Sequence, residues 1–412
     1  MEFKNNLKSL ISKEHENPII KGEVNNHVHS SYSFSPYSPT NIVSEAVKSG
    51  LQIVGLMDHD TVAGAKEFLD AGKRLGIATT IGCEIRVRLD INEYKNKHIN
   101  NPDETNIIYI AIHGIPKKNL ESATSFLKPI RLARKNRMQL QTKNLNTFLE
   151  EKNVSIKINF HDDVLLSSNF NSGGTITERH ILYAFSKKLV QKFGKGEKLL
   201  SVIENNLVDF IDPKIKGYLC DTSNPHYIYD LLGLLKSSLV PKFFIPSSSN
   251  ECPSVNDVIS FSKSINAIPA YAYLGDVNES PTKDKKAQKF EDAFLENLLD
   301  DLKKIGFQAI TYMPPRNSNN QLSRLRLLCK KYNLMEISGV DINSSRQSFN
   351  CPILLEKEFD HLIDAAWALV AHEKLSEKDP PEGLFNYEDK MINMDISSRI
   401  KEYAKIGRSL GR

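Results

Sequence analysis

Cysteine is sparse and unpaired in this sequence of 412 residues: Cys83, Cys220, Cys252, Cys329 and Cys351 stand far apart, with no C-x-x-C pair among them. An odd, scattered set argues against a disulfide framework and against a zinc finger, and suits a reducing cytoplasm. An excess of charge of either sign is lacking as well. The 54 Lys and Arg against 50 Asp and Glu leave a net charge of +4, so bulk electrostatics does not call for nucleic acid, and any anionic partner must be recognised locally. Long apolar runs are missing: no window reaches the ~18 consecutive apolar residues that a bilayer span requires. Met1 to Glu16 is mixed in charge without an apolar core, and reads as neither signal peptide nor membrane anchor. No internal repeat of fixed period occurs.

What is present describes an ordinary globular protein, with 40% apolar and 25% charged residues, enough to bury a substantial core. The length exceeds one typical domain, but α/β barrels carry large insertions, and one barrel with an insertion fits better than two unrelated domains. The expected division is a first barrel part over 1–115, an insertion over 116–255, a second barrel part over 256–375 and a C-terminal helical tail over 376–412.

Residues 1–22 read as a polar helical lead-in, and Val24 to Val28 as a short strand. A helix begins at Pro39-Thr40 and stops at Gly50. Leu51 to Met57 is a buried strand, Val62 to Leu75 a helix ended by Gly76, and Ile77 to Ile81 a third strand. Asn106 to Ile112 is the next strand, running into His113-Gly114. This alternation implies parallel strands with helices outside, whose carboxyl ends form the active face. The rhythm then breaks. Ile130 to Glu150 opens a mostly helical insertion, with Arg131, Arg134, Lys135, Arg137 and Lys143 read as a solvated face. Thr175-Ile176-Thr177-Glu178 has capping-box form and starts a helix over Ile176 to Val190, which brings Arg179 and His180 to a helix N-terminus suited to anions. Pro225 to Val240 is helical. Strand and helix patterns return over Val255 to Asn266, Ile268 to Tyr273, Phe290 to Ile305, Phe307 to Met313, Asn319 to Tyr332 and Leu334 to Ser338, with a charged loop at Lys283 to Lys286.

Chemistry gathers at the ends of these strands. His27 and His29 are two apart on an extended segment, and strand side chains alternate, so both rings reach one side. Asp58-His59-Asp60 follows the second strand, Gly82-Cys83-Glu84 the third, and Asp341 the last.

Taken together, His27-Val28-His29, Asp58-His59-Asp60-Thr61, Gly82-Cys83-Glu84, Arg179-His180-Ile181, Ala272-Tyr273-Leu274-Gly275 and Gly339-Val340-Asp341-Ile342-Asn343 resemble the PHP family, named for polymerase and histidinol phosphatase domains. The resemblance implies a distorted seven-stranded (β/α)7 TIM-like barrel with up to three divalent metals. For the first metal site it implies His27, His29, Glu84 and Asp341, all of which are present. For the second it implies two further histidines, where this chain has Tyr109 and Tyr273, with His113 four residues beyond Tyr109. For the third it implies an acidic or histidine residue, His59, and a final histidine, where this chain has Phe34, His59 and Asn343. One site is therefore complete and two are altered.

Two histidines with two carboxylates suit Mn²⁺, Zn²⁺ or Fe²⁺, one or two ions per chain. The activity implied by the resemblance is phosphoester hydrolysis of a small phosphorylated molecule or nucleotide. His59, Asp58 and Asp60 are the catalytic candidates, the two aspartates expected to orient neighbouring groups, and Arg179, His180 and Arg316 are the candidates for holding phosphate. A non-hydrolysing binding or regulatory module with a reduced site is the alternative.

Overall fold

The computed structural model describes residues 22–277, 289–385 and 394–411. The segments expected to form a lead-in helix and a charged loop at Lys283 to Lys286 lie outside the described residues, apart from Gly22. Seven strands form one sheet in chain order: β1 Val24–Val28, β2 Ile53–His59, β3 Ala78–Arg88, β4 Ile107–His113, β5 Ile268–Ala272, β6 Ala309–Tyr312 and β7 Met335–Ser338. The two edges nearly meet. Val28 bridges Ile342, just past β7, while the side-chain amides of Asn25 and Asn26 donate to the carbonyls of Val340 at 3.0 Å and Ser338 at 2.9 Å. Glycine is required at the seam, because a Cβ on residue 339 would overlap His27. The sheet thus curls into a nearly closed barrel.

Helices cover it much as the periodicity predicts. α1 Pro39–Lys48 starts on Ser38, whose hydroxyl accepts from the Asn41 amide at 3.1 Å, and α2 Ala65–Leu75 ends at Gly76 in the left-handed conformation, φ 70°. After the insertion, α8 Val255–Ser264, α9 Leu295–Ile305 and α10 Asn319–Lys331 return the chain between the later strands. In α9 the buried stripe is Leu295, Leu298, Leu299 and Leu302, one face of a 3.6-residue period.

Two expectations are corrected. The strands are not all parallel: β4 runs antiparallel to both β3 and β5. The link from Arg88 to Ile107 contains only the short turn Asn92–Tyr94, and without a crossover helix the chain re-enters beside β3 in the opposite direction. Nor does β3 stop near Ile81. It runs through Glu84 to Arg88, so Glu84 lies within a strand rather than at its end. The charged residues Glu84 and Arg86 disguise the pattern, and Arg86 is buried through pairing with Glu251 and Glu104.

Between β4 and β5, where the sequence leads us to expect the insertion, the longer helices are α3 Leu120–Glu151, α4 Glu178–Phe193, α5 Glu197–Asn206, α6 Pro213–Cys220 and α7 Tyr227–Phe243. Met138, Leu145, Leu182, Phe185, Leu231 and Leu235 belong to an apolar cluster of its own, which Phe34 joins from the barrel. The cap of α4 also differs from expectation. Thr177 is the N-cap, and its amide donates to Nδ1 of His180 at 3.1 Å.

Two further helices, α11 Asp360–Ser376 and α12 Ile396–Leu410, account for the C-terminal region. Ala365, Ala368, Leu369 and Ala371 of α11 pack on Ile268, Ala270, Ala309, Met335 and Ile337 of β5 to β7. Among the described residues no helix is long and apolar enough to cross a membrane.

His372 on α11 makes this packing sensitive to acid. Its Nε2 donates to the Asn266 carbonyl at 2.7 Å and its Nδ1 accepts from the Leu384 amide at 2.9 Å, the pattern of one neutral tautomer. Burial pushes its pKa down to about 4, against roughly 6.5 in an unfolded chain. The unfolded chain therefore takes up a proton that the native state refuses. This contribution to stability is intact above pH ~6.5 and falls by roughly 3 kcal/mol between there and the native pKa. Urea midpoints measured across that window should drop steadily for the wild type and less steeply for His372→Gln; equal slopes would refute the assignment.

Candidate metal centre

The carboxyl ends of β1, β2 and β7 and the middle of β3 converge on one point. Glu84 Oε2 stands 3.4 Å from His27 Nε2, 3.7 Å from His29 Nε2 and 3.3 Å from His59 Nδ1. Asp341 Oδ1 is 3.2 Å from His29 Nε2. Donor atoms of His27, His29 and Glu84 all lie within 4.8 Å of one another. The carboxylates approach at ion-pair distance but off the hydrogen-bonding direction, and both histidine Nε2 atoms are buried without a hydrogen-bond partner. Buried polar atoms normally find partners. Two orphaned imidazole nitrogens facing two carboxylates fit a divalent cation.

The arrangement separates the charge states of its histidines. Burial works against a charged His29, but Asp341 and Glu84 outweigh it and raise its pKa. The Asp341 carboxyl, with its side chain still partly exposed, is held below the usual carboxylate range, chiefly by the charge of His29. His59 is pushed well below its ordinary value by burial and by the charges of His29 and Arg134, which makes it a neutral base at physiological pH.

Asp58 and Asp60 point away from the donors and orient them. Asp58 accepts from the Ser30 amide at 2.6 Å, the Ser30 hydroxyl at 2.5 Å and the Ser33 hydroxyl at 2.7 Å. Because Ser33 gives its proton to Asp58, its oxygen is the acceptor for His29 Nδ1–H at 3.3 Å. In the neutral form that a bound cation would require, this leaves the lone pair of His29 on Nε2, facing the site. Asp60, at φ 53°, donates its amide to the Glu84 carbonyl at 2.9 Å and accepts from Arg134 Nη1 at 2.6 Å.

Arg134 exposes a further correction. Arg131, Arg134 and Arg137 on α3 are buried, not a solvated face. Arg137 makes two bonds of 2.7 Å to Glu251 and approaches Glu178 at 3.1 Å, and Arg131 donates to the Gly174 carbonyl at 3.0 Å. With Arg86 they join the insertion to the barrel beside the centre. Their three-residue spacing, on the stripe that also buries Met138 and Leu145, was the available signal.

The phosphate-binding candidates part ways. Arg179 is half-buried and its charge acts on Asp341. His180 is a capping residue whose pKa burial pushes down to about 3, so it carries no positive charge for phosphate near neutral pH. Arg316 donates Nε to the Leu274 carbonyl at 3.1 Å and fastens the loop after β5.

The altered positions each have a packing or hydrogen-bonding place. Phe34, at φ 133°, stacks edge-on against His180 with ring centroids 4.9 Å apart. Tyr109 lies 6.5 Å from the His59 ring and burial keeps its phenol protonated. Tyr273 donates to Asp292 at 2.6 Å. Asn343 Nδ2 donates to Asp341 Oδ1 at 2.7 Å. His113 pairs opposite Ile268, at the start of β5, because β4 is reversed. Ser30 and Ser33 are not legible in the sequence, since no spacing rule marks a serine that orients a histidine.

Residues 25–198 match the PHP domain family. A stretch of 61 residues is 44% identical to an error-prone DNA polymerase of Nocardia farcinica, covering 14% of this chain and 5% of the polymerase. A stretch of 59 residues is 42% identical to a 5'-3' exoribonuclease of Haemophilus influenzae, covering 14% of this chain and 22% of that enzyme. The chain thus matches only a small part of either relative. The fold is shared more widely. A protein of Bifidobacterium adolescentis described as a metal-dependent phosphoesterase superposes with a TM-score of 0.53 at 20% identity, covering 81% of this chain and 92% of that one. An amidohydrolase of Chromobacterium violaceum, solved with bound sulfate and no metal, gives 0.50 at 17% identity, covering 80% and 90%.

Proposed function

Taking membership of the PHP domain family over residues 25–198 as the premise, we propose that this protein is a metal-dependent hydrolase that cleaves a phosphoric ester of a small phosphorylated molecule or nucleotide. The observation that carries the reading is the pair of buried, unpartnered Nε2 atoms of His27 and His29 facing Glu84 and Asp341. These four residues would hold one Mn²⁺, Zn²⁺ or Fe²⁺. A bound divalent cation supplies a water nucleophile near neutral pH and polarises a phosphoryl oxygen.

The chain's own residues do the rest. His59, neutral and 3.3 Å from Glu84, accepts the proton of the attacking water and returns one to the leaving oxygen. Arg179 supplies positive charge on the Asp341 side for the ester's phosphate. Asp58, through Ser33, keeps the His29 tautomer that presents Nε2. Ser33→Ala should weaken Mn²⁺ binding about 10-fold, the usual cost of losing such a partner; calorimetric titration showing unchanged affinity would remove Ser33 from this role.

The second reading, a binding or regulatory module that does not hydrolyse, draws on Phe34, Tyr109, Tyr273 and Asn343, which stand where the family resemblance implies ligands for two further ions. One experiment separates the readings. Purified protein is analysed for metal and assayed on a panel of phosphomonoesters and phosphodiesters. About one ion per chain with turnover supports the hydrolase, one ion without turnover on any ester supports the module, and no metal after reconstitution with Mn²⁺ or Zn²⁺ defeats the hydrolase and the metal-site assignment itself.

A further inference from the structure

The loop that carries Asp341 is fixed on two sides, and only one of them belongs to the barrel. On the barrel side, Val340 donates its amide to Asn25 Oδ1 at 3.0 Å and accepts from Asn25 Nδ2 at 3.0 Å. The Ile342 amide donates to the His27 carbonyl at 3.2 Å, and the His29 amide donates back to Ile342 at 2.9 Å. These bonds hold the backbone around residue 341. They do not aim its carboxylate.

That direction is set by a short relay in the turn after Asp341. Asn343 Nδ2 donates to Asp341 Oδ1 at 2.7 Å. Gln347 spans the turn, accepting from the amides of Asn343 and Ser344 at 2.8 Å each and donating to the Asp341 carbonyl at 2.7 Å. Between them, Arg346 reaches out of the barrel into the helical insertion. Its Nε and Nη2 grip the two oxygens of Asp230 on α7 at 2.6 and 2.8 Å, and Nη2 also donates to Asn224 Oδ1 at 3.2 Å. The guanidinium lies 3.8 Å over the ring of Tyr218 on α6. Beside it, Ser345 Oγ and His226 Nδ1 are 2.8 Å apart.

A bidentate arginine on a carboxylate, stacked on an aromatic face, is the strong and directional form of this contact. Asp230 is buried while the Arg346 side chain is 34% exposed, so the contact is anchored on its acceptor side and partly screened on the other. Asn224 Nδ2 donates to Asp230 at 2.7 Å, which fixes the acceptor as well.

We propose that Arg346 and Asp230 are positioning residues for the Asp341 carboxylate, through which the helical insertion sets the affinity of the metal centre. The inference rests on the reading that Asp341 is a metal ligand. It assigns the insertion a part in the site that does not require it to touch substrate. Arg346 touches neither ion nor ester in this scheme and acts only through the Asn343–Gln347 turn.

The test is a double-mutant cycle on the full chain, read as Mn²⁺ affinity by calorimetry and as thermal stability of the metal-free protein. Arg346→Met keeps apolar cover over Tyr218 and removes the fork. It should weaken Mn²⁺ binding about 10-fold, and Asp230→Asn should do the same. The two together should cost little more than either alone, since each breaks one shared contact. In an Asp341→Ala background, Arg346→Met should have no further effect on affinity. A merely structural role would lower the melting temperature and leave affinity, or would weaken binding equally with and without Asp341; either result overturns the proposal. Wild-type protein that binds no Mn²⁺ would refute the metal reading itself. Wild-type binding that Asp341→Ala leaves unchanged would remove Asp341 from the ligand set and the proposal with it.

Discussion

On the proposed hydrolase reading, His27→Ala should abolish metal retention and ester hydrolysis together while leaving the fold intact. His27 Nε2 is buried, has no hydrogen-bond partner and faces Glu84 at 3.4 Å. It contributes a donor atom and no structural bond through that nitrogen. Removing even an outer partner of a ligand costs about 10–100-fold in affinity, so deletion of the ligand should exceed about 100-fold. With no hydrogen bond lost through that nitrogen, the melting temperature of the metal-free variant should stay within a few degrees of wild type. Metal analysis after dialysis and the ester panel give the two readouts. Retained metal with lost turnover would move His27 from ligand to acid–base group. Lost folding would show that the buried nitrogen has a structural partner after all.

The largest stability effect is expected at Glu251, where Glu251→Ala should cost about 3–5 kcal/mol, the range for removing one member of a buried ion cluster. Glu251 is 1% exposed. It pairs with Arg86 of β3, with Arg137 of α3 through two bonds of 2.7 Å, and stands 3.9 Å from Arg134. Without it, buried guanidinium groups from both the barrel and the insertion lose their counter-charge, and the cost is that of leaving charges uncompensated. Burial opposes ionisation of Glu251, yet Arg86 and Arg137 hold its pKa below the ordinary glutamate value. A depressed carboxylate pKa contributes stability that is present above the unfolded value, near pH 4.3, and is lost as pH falls through the native one. Urea unfolding at pH 7 checks the magnitude. A loss under about 1 kcal/mol would mean that the cluster does not hold the insertion to the barrel.

Much of the barrel is legible in the sequence because its strands and helices obey local rules. The Leu295 to Leu302 stripe, the Gly76 stop and the apolar run of β2 each announce one element, and their alternation gives the architecture. The reversed β4 is not legible, because strand direction depends on whether the preceding link can cross the sheet. The extent of β3 is hidden for a related reason: Arg86 is apolar in neither pattern nor chemistry, and its burial depends on Glu251, which is 165 residues away in sequence.

The centre divides in the same way. His27 and His29 on one strand, the Asp58-His59-Asp60 run, Glu84 and Asp341 are all visible as residue types at expected places. Their sequence determined which donors are available and which positions carry Phe34, Tyr109, Tyr273 and Asn343 instead. Only the tertiary structure decided what surrounds them. Ser33 fixing the His29 tautomer, His180 capping a helix rather than facing an anion, Arg134 held against Asp60 and Arg346 gripping Asp230 are contacts between distant segments or around a particular turn. Hydrogen-bond direction and charge compensation in a buried site depend on which groups meet in space, and no periodicity along the chain encodes that.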